Sequence, residues 1–182
     1  MSKELSKIID SGELKKFKAI DSFLEFINQD PPKQWIKEHP YAKGVNYMPI
    51  DKVELMLDKI FQVWNVEILS TGQLLNSIYV NVRVNYKHPI TGEMLHQDGT
   101  GAMAIQVDKG KNASDLGAIK SNAIMLALPS AKSYAIKDAV EHIGKIFGRD
   151  LNRKDTIAFT PSYKNMTDKK AELKAKLDNE NN

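Results

Sequence analysis

The feature that most constrains the fold is the amphipathic stretch at residues 130–148. Its apolar residues recur at helical spacing, while the opposite side is polar and mostly charged. The apolar set is Ile136, Ala139, Val140, Ile143 and Phe147. Ser130 stands where an N-cap is expected, directly after Pro129, and Gly148 is suited to end a helix. The pattern therefore predicts a long helix over 130–148 that packs on a sheet with one face and presents cations on the other.

Composition narrows the class of protein. The chain has 182 residues, a formal net charge of +3 and no cysteine. The lack of cysteine excludes disulfides, thiolate catalysis and cysteine-ligated zinc. The first residues lack the apolar run of a signal peptide, and no stretch approaches the ~20 apolar residues that span a bilayer. We therefore expect a cytoplasmic protein with no membrane partner.

Periodicity predicts three further helical segments. The first covers residues 13–28 and ends before two prolines. The second covers 51–61, where Asp51 is expected to act as the N-cap. Residues 118–128 are apolar and predicted to be helical, after an exposed loop at 108–117.

Alternation of apolar and polar residues predicts three strands. The first starts at Val63 and is expected to turn at residues 70–72, Ser-Thr-Gly. The clearest strand follows, with Ile78, Val80, Val82, Val84 and Tyr86 on one side. After a loop at 88–92, the returning strand contains Gly99 and Gly101, which indicate a bulge or a close backbone approach.

The predicted fold class is α+β: a three-stranded antiparallel β-meander packed against helices, with a long C-terminal helix that lines a groove. Residues 1–160 are expected to form one domain. Residues 161–182 contain few apolar side chains and near-balanced charge, which predicts a charged, flexible tail.

The sequence gives little support to an enzyme. It contains no phosphate-binding P-loop motif, and the four histidines lack the spacing of a zinc site, so no metal or cofactor is expected. Asp138 and Glu141 share a helical face, but two acidic residues among lysines are more often a solvated surface than a nuclease site.

Basic residues are concentrated towards the end of the chain. Between residues 131 and 154 there are six basic and three acidic side chains. The polar face of the meander adds Arg83 and Lys87 beside Tyr79, a combination of aromatic and cationic groups that suits single-stranded nucleic acid. Composition alone favours the alternative that both are ordinary solvated surfaces.

A resemblance to a known family depends on four motifs in a fixed order. They are YMPIDKVELMLDKIF, a strand with Val82-Arg83-Val84, Asp98-Gly99-Thr100-Gly101, and AKSYAIKDAVEHIGKIFG. Over residues 44–149 this order resembles the annealing domain of the Rad-fifty-two superfamily, which includes single-strand annealing proteins of phage recombination systems. The last helix is the most specific part of the resemblance. Its matching residues are Ala131, Lys132, Ala135, Ile136, Asp138, Lys145, Phe147 and Gly148.

The resemblance implies a site and partners. Family members bind single-stranded DNA in a positive groove and assemble into rings or filaments, so the expected partners are single-stranded DNA and further copies of the chain. By position, Lys52 matches the groove floor and Lys145 the groove-lining helix, while Lys87 and Lys120 match a second, outer DNA site. Glu141 and His142 occupy positions that are basic in the family, and Arg149, Lys132 or Lys137 would compensate. The resemblance leaves open a single-strand binding protein as another partner.

The expected function is therefore binding of single-stranded DNA and ATP-independent annealing of complementary strands in recombination, in the host cytoplasm if the chain is phage-encoded. Two alternatives stay open. One is a non-annealing oligomeric interaction or replication-accessory protein that keeps the fold but not the DNA site, a hypothesis that Glu141 and His142 support. The other is a binder of double-stranded RNA, because helix–meander–helix order recurs there.

Overall fold

The computed structural model describes residues 12–40, 42–112, 114–155 and 159. The chain divides into two compact units, one of which contains the first helix and the other residues 30–152. The predicted tail at 161–182 lies outside the described residues, so the domain boundary at 160 stays a prediction.

Helix α1 spans Gly12–Ile27, close to the predicted 13–28. Asn28 closes its last turn, since both its backbone and its side-chain amide donate to the carbonyl of Leu24, at 3.1 and 2.8 Å. Ile27 is buried, whereas 42% of Phe17 is exposed.

The unit of residues 30–152 begins with a hairpin that the sequence did not predict. A 3-10 turn at Lys33–Trp35 leads into β1 (Lys37–His39) and β2 (Ala42–Tyr47), which pair antiparallel. Strand β2 is hydrogen-bonded to a side chain that is distant in sequence. The Asn46 N–H donates to Oδ1 of Asn152 at 2.7 Å, and Nδ2 of Asn152 donates to the Asn46 carbonyl at 2.8 Å.

Helix α2 spans Ile50–Ile60, and it buries Val53, Met56 and Leu57. The prediction that Asp51 caps it is wrong. Pro49 occupies the cap position without a side-chain hydrogen bond. Asp51 lies inside the first turn, where its carboxylate interacts favourably with the positive end of the helix dipole.

The meander is confirmed. Strands β3 (Trp64–Leu74), β4 (Ser77–Lys87) and β5 (Met94–Ala104) form an antiparallel sheet in the order β3-β4-β5. Val80, Val82 and Val84 of the central strand are buried, as the alternation predicted, and Tyr79 and Arg83 lie on the other face.

The predicted turn at residues 70–72 is wrong, because β3 continues through it to Leu74. Ser70, Thr71 and Gly72 pair with residues of β4 after an irregularity between Ile68 and Ser70. A Cβ added to Gly72 would meet the ring of Tyr79, so this aromatic side chain covers the glycine within the sheet. The turn instead falls at Leu75 and Asn76.

Gly99 and Gly101 of β5 mark a close backbone approach. A Cβ on Gly101 would collide with backbone atoms of Ala131 and Ala135, and one on Gly99 would collide with Ala135 and Ala139. The alternative of a bulge is wrong, because β4 and β5 pair in unbroken register. Glycine is therefore needed at these two positions because the sheet and the last helix touch at their main chains.

That last helix, α3, spans Ala123–Glu141, so both predicted ends are wrong. It passes through Pro129, and the hydroxyl of Ser130 donates to the Leu126 carbonyl at 2.8 Å instead of capping a helix. A stripe of small residues at four-residue spacing packs on the sheet and outweighs the cost of the proline. Its members are Ala123, Ala127, Ala131, Ala135 and Ala139, all buried.

The helix ends earlier than predicted because the chain becomes extended at Gly144. A 3-10 turn at Lys145–Phe147 follows, and Gly148 ends it in the left-handed region at φ 105°. Before α3, the predicted loop ends in a 3-10 turn at Leu116–Ala118, so only the second half of the predicted segment 118–128 is α-helical. The fold class is nevertheless as predicted, an α+β unit with helices packed on an antiparallel meander.

Candidate nucleic-acid interface

Lys137 lies between two aromatic rings that come from different elements. Its Nζ is 5.2 Å from the ring centroid of Tyr47, at the end of β2, and 4.5 Å from that of Tyr134, one turn earlier on α3. Both distances fall within the range of cation–π attraction. We refer to Tyr47, Tyr134 and Lys137 as the tyrosine–lysine cluster.

The cluster lines an open cavity of about 360 Å³. The start of α2 provides one wall, including Pro49 and Asp51, and α3 provides another, including Ser133. Burial lowers the pKa of Lys137 below the ordinary lysine value, and the nearby carboxylate of Glu141 acts in the opposite direction. The cavity thus combines two aromatic faces, an amine, small hydroxyl groups and the carboxylate of Asp51.

Lys52 stands beside this cavity. Its Nζ is 3.1 Å from Oδ2 of Asp51, which lines the cavity, and the hydrogen bond from Lys52 lowers the pKa of that carboxyl. The structure therefore brings together two of the basic residues that the sequence selected, Lys52 and Lys137.

Lys145 lies near the other end of α2. It belongs to the 3-10 turn that contains Phe147, whose ring lies parallel to that of Phe61 with the centroids 6.4 Å apart, and Phe61 directly follows α2. Lys52 and Lys145 are therefore associated with opposite ends of α2, a helix of 11 residues that is about 16 Å long. Nζ of Lys145 is 2.7 Å from Oδ1 of Asp30, and only 18% of the Lys145 side chain is exposed.

Two other predicted residues of the last helical region lie close to Lys145 in sequence. His142 is exposed and follows the last residue of α3, and Arg149 is half-buried just after Gly148. Lys132 is exposed on α3, five residues before the cluster's lysine and therefore on a different side of the helix.

The predicted residues of the meander lie on a separate surface. Tyr79 and Arg83 are on the face of the sheet opposite to α3, because their neighbours Val80, Val82 and Val84 point towards the helix. Both guanidinium contacts of Arg83 go to Asp98, at 2.8 Å each. Glu67 also pairs with Arg83 across the sheet, so acidic groups flank this cation on both sides.

The remaining two candidates are exposed at the edges of the unit. Lys87 is the last residue of β4, and Lys120 follows the bridge between Val107 and Ile119. The structure does not bring either of them into the cavity of the tyrosine–lysine cluster.

The sequence did not single out the two tyrosines of the cluster. For Tyr134 a signal was present, since it precedes Lys137 by three residues and such residues are neighbours on a helix. For Tyr47 there was none, because its segment showed no alternation and was not predicted to be a strand.

Within the described ranges, no group of three or more histidine, aspartate or glutamate side chains is arranged to hold a metal ion. Nor does any helix in this part of the chain have the length and apolar character needed to cross a membrane.

No protein-family model matches the chain, and no curated protein matches it significantly. Among solved structures, it is similar to an NTF2-like protein of unknown function from Exiguobacterium sp. 255-15. The two share 15% identity over 52% of this chain and 82% of the other, with a TM-score of 0.26. At that TM-score the likeness has no bearing on function.

Proposed function

We propose that the protein binds single-stranded DNA and anneals complementary strands without nucleotide hydrolysis. The observation that carries the proposal is the tyrosine–lysine cluster, which combines aromatic faces with a cation in an open cavity. Aromatic rings stack on bases of any sequence, and lysines attract the phosphates between them. This chemistry suits a strand whose bases are not paired.

The flanking lysines support a path for the strand. Lys52 lies beside the cavity at the start of α2 and Lys145 near the other end of that helix, so the proposed path of the strand runs along α2. Contacts to the backbone are independent of sequence. They leave the Watson–Crick edges free, and base pairing itself then selects the complementary strand, so no energy source is required.

Annealing of two complementary oligonucleotides labelled with a fluorescence donor and acceptor tests the proposal. We expect the protein to accelerate pairing in buffer without ATP at low salt. Replacement of Tyr134 by alanine removes one stacking surface, worth about 1–3 kcal/mol per base, so the Kd for poly-dT should rise about 5- to 150-fold.

Tyr79→Ala is the matched control, since it removes a tyrosine from the opposite face of the sheet. Wild-type affinity in Tyr134→Ala together with weakened binding in Tyr79→Ala would place the DNA on the sheet instead. No acceleration of pairing by the wild-type protein would refute the annealing function.

A second candidate is a non-annealing oligomeric interaction protein. It is favoured by the pairing of three predicted DNA-binding cations with carboxylates of the same chain: Lys52 with Asp51, Arg83 with Asp98 and Lys145 with Asp30. Fluorescence anisotropy with labelled poly-dT separates the two functions, because this alternative predicts no saturable binding at low salt. Competition with double-stranded RNA in the same assay tests the RNA-binding alternative.

A further inference from the structure

The amine of Lys137 differs from those of the other two lysines on the proposed strand path. Nζ of Lys52 lies 3.1 Å from a carboxylate oxygen of Asp51. Nζ of Lys145 lies 2.7 Å from a carboxylate oxygen of Asp30. An adjacent carboxylate keeps a lysine in its charged form, in which the nitrogen has no lone pair to donate. Lys137 instead lies between the two ring faces of the tyrosine–lysine cluster.

Burial makes the Lys137 amine easier to deprotonate than an ordinary lysine. The loss of hydration lowers its pKa, although Glu141 acts in the opposite direction. Lysines that attack carbonyl compounds are commonly activated in this way, by desolvation in a pocket. The product of such an attack, an iminium ion, is a cation and would lie between the same two rings, which attract cations. The site therefore suits imine formation, because burial supplies the free amine and the rings stabilise the cation that forms.

The cavity at this amine suits a phosphorylated sugar. Its volume of about 360 Å³ is at the lower end of the range for small-ligand sites, about 300–1,000 Å³. Ser130 and Ser133 are among its lining residues. Their hydroxyls donate to backbone carbonyls of the preceding turn at 2.8 and 3.0 Å, so both oxygens are left as acceptors for sugar hydroxyl groups. Lys52, beside the cavity, provides a cation for a phosphate.

We infer that Lys137 forms an imine with the C1′ aldehyde of a 2-deoxyribose 5-phosphate unit. A bond forms between Nζ and C1′, and the bond between C1′ and its oxygen breaks. The oxygen leaves as water with two protons from the ammonium group, so the products are the iminium ion and water. The step needs no oxidant or reductant.

Two sources carry this sugar unit. One is an abasic position in single-stranded DNA, where the ring-opened sugar exposes the aldehyde and no base is present to stack on Tyr134. The other is the free sugar phosphate. The first source rests on the proposed function, because the strand must occupy the cavity, whereas the second does not.

Reductive trapping on an abasic oligonucleotide tests the inference. A labelled single strand with one abasic position, made by excision of uracil, is incubated with the protein and sodium cyanoborohydride, which reduces an imine to a stable amine. We expect a covalent protein–DNA band on a denaturing gel, and mass spectrometry after proteolysis should locate the adduct at Lys137. A strand with tetrahydrofuran in place of the abasic sugar lacks the aldehyde and should give no band.

Lys137→Arg is the matched variant. It keeps the positive charge, but a guanidinium group is not deprotonated in proteins, so the adduct should be lost even at saturating protein. Lys109→Arg, in an exposed loop, is the control and should keep the wild-type yield. Location of the adduct in the wild-type protein keeps the test decisive if Lys137→Arg fails to fold.

Free 2-deoxyribose 5-phosphate with cyanoborohydride, without DNA, separates this inference from the proposed function. Labelling of Lys137 above the other lysines by the free sugar would support the inference even if poly-dT failed to bind, a failure that would refute the proposed function. Binding of poly-dT with no adduct at Lys137 from either source would overturn the inference alone. Neither binding nor an adduct would overturn both. Adducts spread over exposed lysines, with no excess at Lys137, would also overturn the inference.

Discussion

The environment of the Lys137 amine is formed by residues that are far apart in the chain. Tyr47 reaches it from β2, whereas Tyr134 comes from the same helix. An amine between two rings loses part of its hydration, and the lowered pKa of Lys137 has burial as its main cause. A phosphate placed near this amine would therefore meet a poorly solvated cation, which strengthens the attraction relative to a lysine in open water.

At Lys145, the nearest anion is a carboxylate of the same chain. The Lys145 side chain is mostly buried, but Asp30 is 77% exposed and its carboxylate keeps most of its hydration, so the pair contributes about 1 kcal/mol. A phosphate can therefore replace Asp30 at little cost. We predict that Asp30→Asn lowers the Kd for poly-dT by about two- to fivefold at low salt, which corresponds to the strength of such a pair. Fluorescence anisotropy measures the change.

Two controls accompany this prediction. Asp108→Asn removes the same charge from an exposed loop position and should leave the affinity nearly unchanged. In a Lys145→Gln background, Asp30→Asn should have no effect, because the cation that it frees is gone. An equal gain in that background would show that Asp30 acts only through the overall charge.

At the scale of elements, β5 and α3 approach each other at their main chains. Gly101→Ala would place a methyl group against the backbone of Ala131 and Ala135, which cannot rotate away as a side chain can. We predict a loss of about 3 kcal/mol or more in the free energy of unfolding, at the upper end for overpacked cores. Urea denaturation measures it.

Gly117→Ala is the control for this change. The nearest atom to a Cβ at Gly117 is a carboxylate oxygen of Asp115 at 3.3 Å, which belongs to a flexible side chain. Its effect on stability should be small. An equally small effect of Gly101→Ala would contradict the close approach of the helix and sheet backbones.

The turn between β4 and β5 predicts a dependence of stability on pH. Nδ1 of His88 accepts hydrogen bonds from the backbone N–H groups of Ile90 and Thr91, at 3.2 and 3.1 Å, which requires that nitrogen to be unprotonated. Burial lowers the pKa of His88 in the folded state, and Glu93 opposes this shift. The unfolded chain therefore binds the proton more readily than the folded one.

The sign of the effect follows from this difference. The contribution of His88 to stability is fully present above its unfolded pKa of about 6.5 and decreases as the pH falls below that value towards the folded pKa. His88→Asn keeps an acceptor for both N–H groups but does not titrate. The difference in Tm between wild type and variant should therefore change between pH 7 and 5; a constant difference would contradict the prediction.

The elements that the sequence predicted well are those whose pattern is local. Alternation identified β4 and its buried face, because a period of two residues fixes which side chains share a face. The predicted boundaries of α3 were wrong because Pro129 and Ser130 are local signals for the end and the start of a helix. The helix continues through them because its alanines pack on β5. The hairpin of β1 and β2 was missed because its segment shows no alternation of apolar and polar residues.

The candidate site was predicted in part. Lys137 was selected and lines the cavity, and Lys52, to which only the resemblance pointed, pairs with Asp51 at its wall. Tyr47 could not be found from the sequence, because its position depends on how the hairpin folds onto α3. Arg83 was selected from its strand position, but the carboxylates beside it come from β3 and β5, and no local pattern indicates that pairing.

At the scale of the whole molecule, a net charge of +3 is a weak field for one copy. Several copies along one strand add their fields, so assembly and DNA affinity should be coupled. We predict that a plot of log K against log salt concentration for poly-dT has a slope of about −2 per copy if Lys52, Lys137 and Lys145 each contact one phosphate, at about −0.7 per contact.

Each lysine can be tested separately in this measurement. Lys52→Gln, Lys137→Gln and Lys145→Gln should each reduce the slope by about 0.7. Lys109→Gln, in an exposed loop, is the control and should leave it unchanged. A slope that none of the three variants alters would show that the strand follows another path.

The paired hydrogen bonds between Asn152 and the backbone of Asn46 have a practical consequence for shortened versions of the protein. A version that ends at residue 152 keeps the amide that fastens β2, and with it the support of Tyr47 beside Lys137. Removal of that one further residue would release β2 from both of these hydrogen bonds. The shortest piece that preserves the cavity is therefore set by an asparagine that lies outside every helix and strand.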